Sequence, residues 1–137
     1  MPVISSPAPR GVWLIRGVIC GYWCCMFLAT HLPVERAIEQ VPASDKQLHF
    51  AAYGLLGLLL PFWSQGVRSD RDASDRLRLA VRRGMRLIGI LWVYAIADEL
   101  LQIPVGRSAE FLDWMADAIG AVFGVAVGGS VRYVLDR

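Results

Sequence analysis

Charge is scarce in this chain. Asp, Glu, Lys and Arg make up 19% of its 137 residues, against 55% hydrophobic residues and a mean hydropathy of +0.45. Ordinary globular chains carry about 25% charge, so a soluble fold of this length would have too little polar surface to cover its core. Cysteine is nearly absent too: Cys20, Cys24 and Cys25 all fall in one apolar stretch. A disulfide framework is excluded, no pair stands at metal-site spacing, and small apolar packing inside a span is the expected role. There is no phosphate-binding glycine loop, no recognisable nucleophilic triad and no established metal-binding pattern. Nor does a basic stripe accompany a recognition element, so no nucleic-acid partner is expected.

What the chain does have is four long apolar segments, about 14–31, 48–63, 87–103 and 111–134. The middle two are short, since about 20 residues cross a bilayer core and roughly 17 is the lower limit. Trp13, Trp63 and Trp114 lie near span ends, where aromatic anchors belong. The expected fold is all-α: a polytopic membrane protein forming a compact bundle of four transmembrane helices, one domain over 1–137, with membrane lipids as its surroundings.

The arginines orient it. Arg68, Arg71, Arg76, Arg78, Arg82, Arg83 and Arg86 face only three aspartates between Ser64 and Arg86, whereas His31 to Lys46 holds Arg36 and Lys46 against Glu35, Glu39 and Asp45. The positive-inside rule places 64–86 in the cytoplasm, hence both termini too, in agreement with Arg10, Arg16, Arg132 and Arg137. Connections 32–47 and 104–112 then face outward. Arg10 and Arg16 before the run Gly17–Ala29 have the form of a signal peptide, but no clear small-x-small processing site follows, so a retained first span is expected. The mixed basic and apolar segment 76–86 is expected to lie along anionic headgroups as a short interfacial helix.

Two adjacent acids, Asp98 and Glu99, interrupt the oily stretch Leu87–Ile103. A carboxylate within a bilayer is costly and marks a functional-site candidate. Helical spacing puts Asp98 and Gln102 on one face and turns Glu99 about 100° away. Lys46, His49 and Tyr53 fall close to one face of the second span, and Asp113 and Asp117 share a face of the fourth. Asp45 can pair with His49 four residues on, or Ser44 or Asp45 can cap that helix. The groups on all three spans lie at one depth beneath the outer surface. Arg107, beside the turn formers Pro104 and Gly106, is either a clamp between the third and fourth helices or a grip on an anionic group. Ala116, Gly120, Gly124 and Gly128 form a stripe for close helix packing, which Gly54 and Gly57 can match on the second helix.

The segment Asp45-Lys-x-x-His-Phe-x-x-Tyr53, with Asp98-Glu-x-x-Gln102, Arg107, Asp113 and Gly120-x-x-x-Gly124, resembles the VanZ-like family of small bacterial membrane proteins over roughly 14–128. The resemblance implies several transmembrane helices in the bacterial cytoplasmic membrane and a link to reduced susceptibility to the glycopeptide teicoplanin. It carries over Asp45, Lys46, His49, Tyr53, Asp98, Glu99, Gln102, Arg107 and Asp113. Asp117 departs from it, because the family commonly has asparagine there; a carboxylate that only accepts hydrogen bonds replaces an amide that also donates.

The expected function is therefore that of an envelope protein with a polar cluster on the extracytoplasmic side, contributing to glycopeptide resistance or handling an envelope precursor. Lys46, His49, Tyr53, Gln102, Arg107, Asp113 and Asp117 would bind the ligand. One alternative is a non-catalytic scaffold that self-associates or binds another membrane protein through its helices. Another is an intramembrane enzyme using His49, Asp98 and Glu99 for acid/base chemistry. No cofactor or metal is expected, although Asp98, Glu99, Asp113, Asp117 and His49 offer donors to a divalent cation.

Overall fold

A computed structural model describes residues 10–31, 44–64, 72–106 and 109–136 of the chain. All regular structure among them is helical: α1 (Arg10–His31), α2 (Asp45–Leu59), α3 (Ala73–Gln102) and α4 (Phe111–Leu135), with 3-10 turns at Leu60–Phe62 and Ile103–Val105. Three helices, α1, α3 and α4, are long and apolar enough to cross a membrane. By itself α2, with 15 residues, spans about 22 Å, short of a hydrocarbon core of about 30 Å. Its axis is prolonged by the three residues of the Leu60–Phe62 turn.

Helix ends follow the local chemistry. Ser44 caps α2: its hydroxyl accepts from the Gln47 N–H while the Gln47 side chain accepts from the Ser44 N–H, a reciprocal capping box. The cap is therefore Ser44 and not Asp45. Pro61 and Pro104 each sit at the start of a 3-10 turn that closes a helix, and Gly106, at φ 86°, takes the left-handed conformation that ends the second turn.

α3 departs from the expected boundaries. It is one helix of 30 residues, so the described part of the arginine-rich segment is its first half and not a separate interfacial helix. No proline interrupts Ala73–Gln102, and Gly84 and Gly89 each disfavour a helix by only about 1 kcal/mol. At about 45 Å the helix exceeds the bilayer core, which leaves the arginine-bearing turns beyond it.

Glycine sets the closest contact in the bundle. A Cβ at Gly120, Gly124 or Gly128 would be driven onto the carbonyl oxygens of Phe50, Gly54 and Leu58 respectively, and one at Gly57 would lie 2.8 Å from the Ala121 oxygen. The smooth stripe of α4 is thus occupied by α2 of the same chain, which removes it as a partner-binding face. Tyr53, Leu56, Leu91, Ala95, Ala121 and Val125 form the core beside this contact. Trp92 adds a tie from α3 by donating its Nε1–H to the Ala118 carbonyl at 3.3 Å.

α1 lies on this core through Ile19 and Met26, and Val12, seven residues before Ile19, is buried as well. The Tyr22 hydroxyl donates to the Ala52 carbonyl at 2.9 Å, and Trp23 meets Tyr94 edge-on at 5.1 Å between ring centroids. Cys20, Cys24 and Cys25 lie in α1 and are exposed, outside its buried stripe of Val12, Ile19 and Met26. Trp13 and Trp63 both flank the Arg16 guanidinium, 5.3 and 5.5 Å from the ring centroids, and both are exposed. Large apolar side chains face outward on every long helix, for example Leu14, Val93 and Phe123, as in a protein whose solvent is lipid.

A buried imidazole and carboxylate cluster

Capping by Ser44 starts α2 early enough to place His49 on its second turn, against the first turns of α4 and the end of α3. His49 Nδ1 lies 3.0 Å from Asp117 Oδ1 and 4.0 Å from Glu99 Oε1. On the other edge of the ring, Nε2 stands 3.9 Å from Asp45 Oδ1. Both sequence alternatives for the start of α2 are therefore realised together: Ser44 caps, and Asp45 faces the imidazole. His49 is 7% exposed, Glu99 6% and Asp117 0%.

Glu99, Asp117 and Asp98 each have one buried oxygen without a hydrogen-bond partner among the described residues. Glu99 Oε2 accepts from the Glu110 backbone N–H at 3.0 Å, a donor left over at the start of α4, while Oε1 has no hydrogen-bond partner among the described residues. Asp117 Oδ2 and Asp98 Oδ2 are likewise unpartnered there. Buried polar atoms are nearly always satisfied in proteins, so three such oxygens at one level call for a role.

Lys46 closes the rim. Its Nζ lies 3.2 Å from Asp113 Oδ1 and 3.4 Å from Glu110 Oε2. Tyr53 and Gln102 are buried, and the Tyr53 hydroxyl and Gln102 Nε2 have no hydrogen-bond partner among the described residues.

Asp98 turns to α1, away from Glu99 as helical spacing requires. Its Oδ1 accepts from Thr30 Oγ1 at 3.2 Å and Tyr94 OH at 3.5 Å, with His31 Nδ1 at 3.8 Å. Thr30, His31, Tyr94 and Glu110 are absent from the set of site residues drawn from the sequence. Thr30 and His31 close the first apolar run at the same outer level, and that depth argument, applied to α1, would have found them. Arg107 lies outside the described residues, as do connection 32–43 with Glu35, Arg36 and Glu39, and Arg68, Arg71 and Arg137.

Among the described residues two groups present donors for a metal ion: His49, Glu99 and Asp117, all buried, and the more exposed set Asp45, His49 and Asp113; within each group the donor atoms lie within 4.8 Å of one another. A separate cavity of about 550 Å³ opens near the other end of the bundle, with Trp23, Trp63, Arg76, Arg83 and Arg132 in its wall. None of the cluster residues lines it.

Fold and site together define a small helical membrane protein with a buried His/Asp/Glu cluster able to coordinate an ion. No protein-family model, no curated protein and no solved structure matches the chain.

Proposed function

We propose that this is an intramembrane acid/base protein of the bacterial cytoplasmic membrane, acting on a component of the cell envelope from the outer side. His49, between Asp117 and Glu99, exchanges the proton, and the two carboxylates orient the ring and carry the complementary charge. The observation that carries this reading is an imidazole held 3.0 Å from a fully buried carboxylate, beside buried carboxylate oxygens that no described group satisfies.

The topology belongs to the same proposal: four spans, with α2 and its 3-10 turn as the second, and both termini inside. It is supported by the arginines on the first half of α3, which extends past the bilayer core. The VanZ-like assignment is proposed on the motif residues of the sequence alone. The site does not favour glycopeptide resistance. His49, Asp98, Glu99, Gln102, Asp113 and Asp117 are each at most 7% exposed, an arrangement suited to protons and small ions rather than to gripping an antibiotic of that size. That closure also favours a second reading, a non-catalytic scaffold whose polar ring holds α2, α3 and α4 in register.

Wild type, Glu99→Gln (E99Q) and His49→Ala (H49A) expressed at equal membrane abundance separate these readings. Acid/base function predicts that both substitutions abolish the change in sensitivity to envelope-directed agents, teicoplanin included, that wild type confers over an empty vector. Full activity of both variants would leave the scaffold.

A further inference from the structure

We propose that His49, Glu99 and Asp117 form a zinc-class divalent cation site between α2, α3 and α4. The proposal deepens the acid/base reading and rests on it only for the use made of the ion. Three donors, one nitrogen and two carboxylate oxygens, come from three helices and lie within 4.8 Å of one another in a buried position. In a tetrahedral zinc site with ligand bonds of about 2.0–2.2 Å, neighbouring donors stand about 3.3 Å apart. The separations from His49 Nδ1, 3.0 Å to Asp117 and 4.0 Å to Glu99, bracket that value, and no two of the three donors are more than 4.8 Å apart, so side-chain adjustment alone can complete the set.

A second line comes from the atoms around the donors. The Glu110 N–H holds Glu99 Oε2, which leaves the unpartnered Oε1 on the side of the imidazole. Asp117 offers a further unpartnered oxygen, Oδ2, at 0% exposure. Asp45 Oδ1 stands 3.9 Å from His49 Nε2, on the side from which a carboxylate can support an Nε2–H once Nδ1 has given up its proton to bind a metal.

Charge points the same way. In the metal-binding state, with both carboxylates ionised and the imidazole neutral, the three donors carry two negative charges in a water-poor interior, and the ammonium of Lys46 is engaged by Asp113 and Glu110. One divalent cation neutralises the pair. An imidazole donor selects zinc-like ions over magnesium, which favours an octahedral oxygen shell. Three protein ligands leave a fourth position for water, whose proton zinc makes easier to release.

The test uses the full chain in mild detergent, stripped with chelator and reloaded with Zn²⁺ alone, in wild type and in a variant with Cys20, Cys24 and Cys25 changed to serine. Both should retain one zinc per chain after dialysis. Glu99→Gln (E99Q) and Asp117→Asn (D117N) should each bind at least tenfold more weakly with unchanged helical content. Co²⁺ in the wild type should give visible bands of a nitrogen and oxygen site without thiolate charge transfer, a readout that needs no variant to fold. Failure of the wild type to retain zinc, loss of zinc with the three cysteines, or wild-type affinity in E99Q and D117N would each overturn the site. An E99Q phenotype in cells without zinc in the purified protein would overturn the metal while sparing acid/base function. Zinc bound at these residues with no phenotype in E99Q would do the reverse.

Discussion

His49 Nδ1 stands 3.0 Å from Asp117 Oδ1, joining two residues 68 positions apart at the point where α2 and α4 meet. Both are buried, and the glycines of the same two helices bring the backbones together directly below. Close packing and the polar pair thus depend on one interface.

Substitutions at position 117 should divide by what remains opposite the imidazole. Asp117→Asn (D117N) keeps an acceptor, and interhelical hydrogen bonds in membranes are worth only about 0.6 kcal/mol on average, so its stability cost should be about 1 kcal/mol or less. Asp117→Ala removes the acceptor and leaves the ring unsatisfied, for a cost of about 1–3 kcal/mol. Reversible denaturant unfolding in mixed micelles measures both. Equal costs would mean that His49 does not depend on position 117.

Alanine at glycine positions of α4 should act in opposite directions within two turns. A Cβ at Gly124 meets the Gly54 carbonyl oxygen, whereas one at Gly129 has no atom within 4 Å. Gly124→Ala should sharply reduce folded protein, and Gly129→Ala should be neutral or stabilising by up to about 1 kcal/mol through helix propensity. The yield of monodisperse protein and its melting temperature report the contrast. Similar behaviour of the two variants would contradict the α2 and α4 contact.

The start of α2 rests on the reciprocal Ser44 and Gln47 bonds. Ser44→Ala should destabilise by about 1 kcal/mol. If Asp45 took over as the cap, the loss would vanish in Ser44→Ala and appear in Asp45→Ala, which the same unfolding assay distinguishes.

Topology can be read by labelling. In a chain whose three native cysteines are serine, Ala109→Cys should react with an impermeant maleimide in intact cells, and Ser74→Cys only after lysis. The opposite pattern would place the polar cluster on the cytoplasmic side.

Much of this is legible in the residues, because membrane helices write their burial in simple terms. The acids Asp98, Glu99, Asp113 and Asp117 stand out against apolar neighbours, and a period of 3.6 residues separates the faces of Asp98 and Glu99, which the structure turns to Thr30 and to His49 and Glu110 respectively. The four-residue glycine spacing points to the α2 and α4 contact. Pairing across helices is not legible. That His49 selects Asp117 depends on rotation and offset of two helices, which spacing within either one does not encode. The length of α3 escapes a reading by hydropathy for a local reason: arginine is a good helix former, so a change from apolar to basic residues marks a change of solvent and not a helix end.

Histidine-selective ¹⁵N NMR of the chain in detergent tests the central pairing most directly, since the sequence holds two histidines and His31→Asn (H31N) leaves His49 alone. The account predicts a His49 ring whose Nδ1 resonance shifts in Asp117→Asn and Glu99→Gln, and stays unmoved in the distant Arg83→Gln (R83Q). A His49 signal like that of a solvent-exposed imidazole, indifferent to both carboxylates, would contradict it.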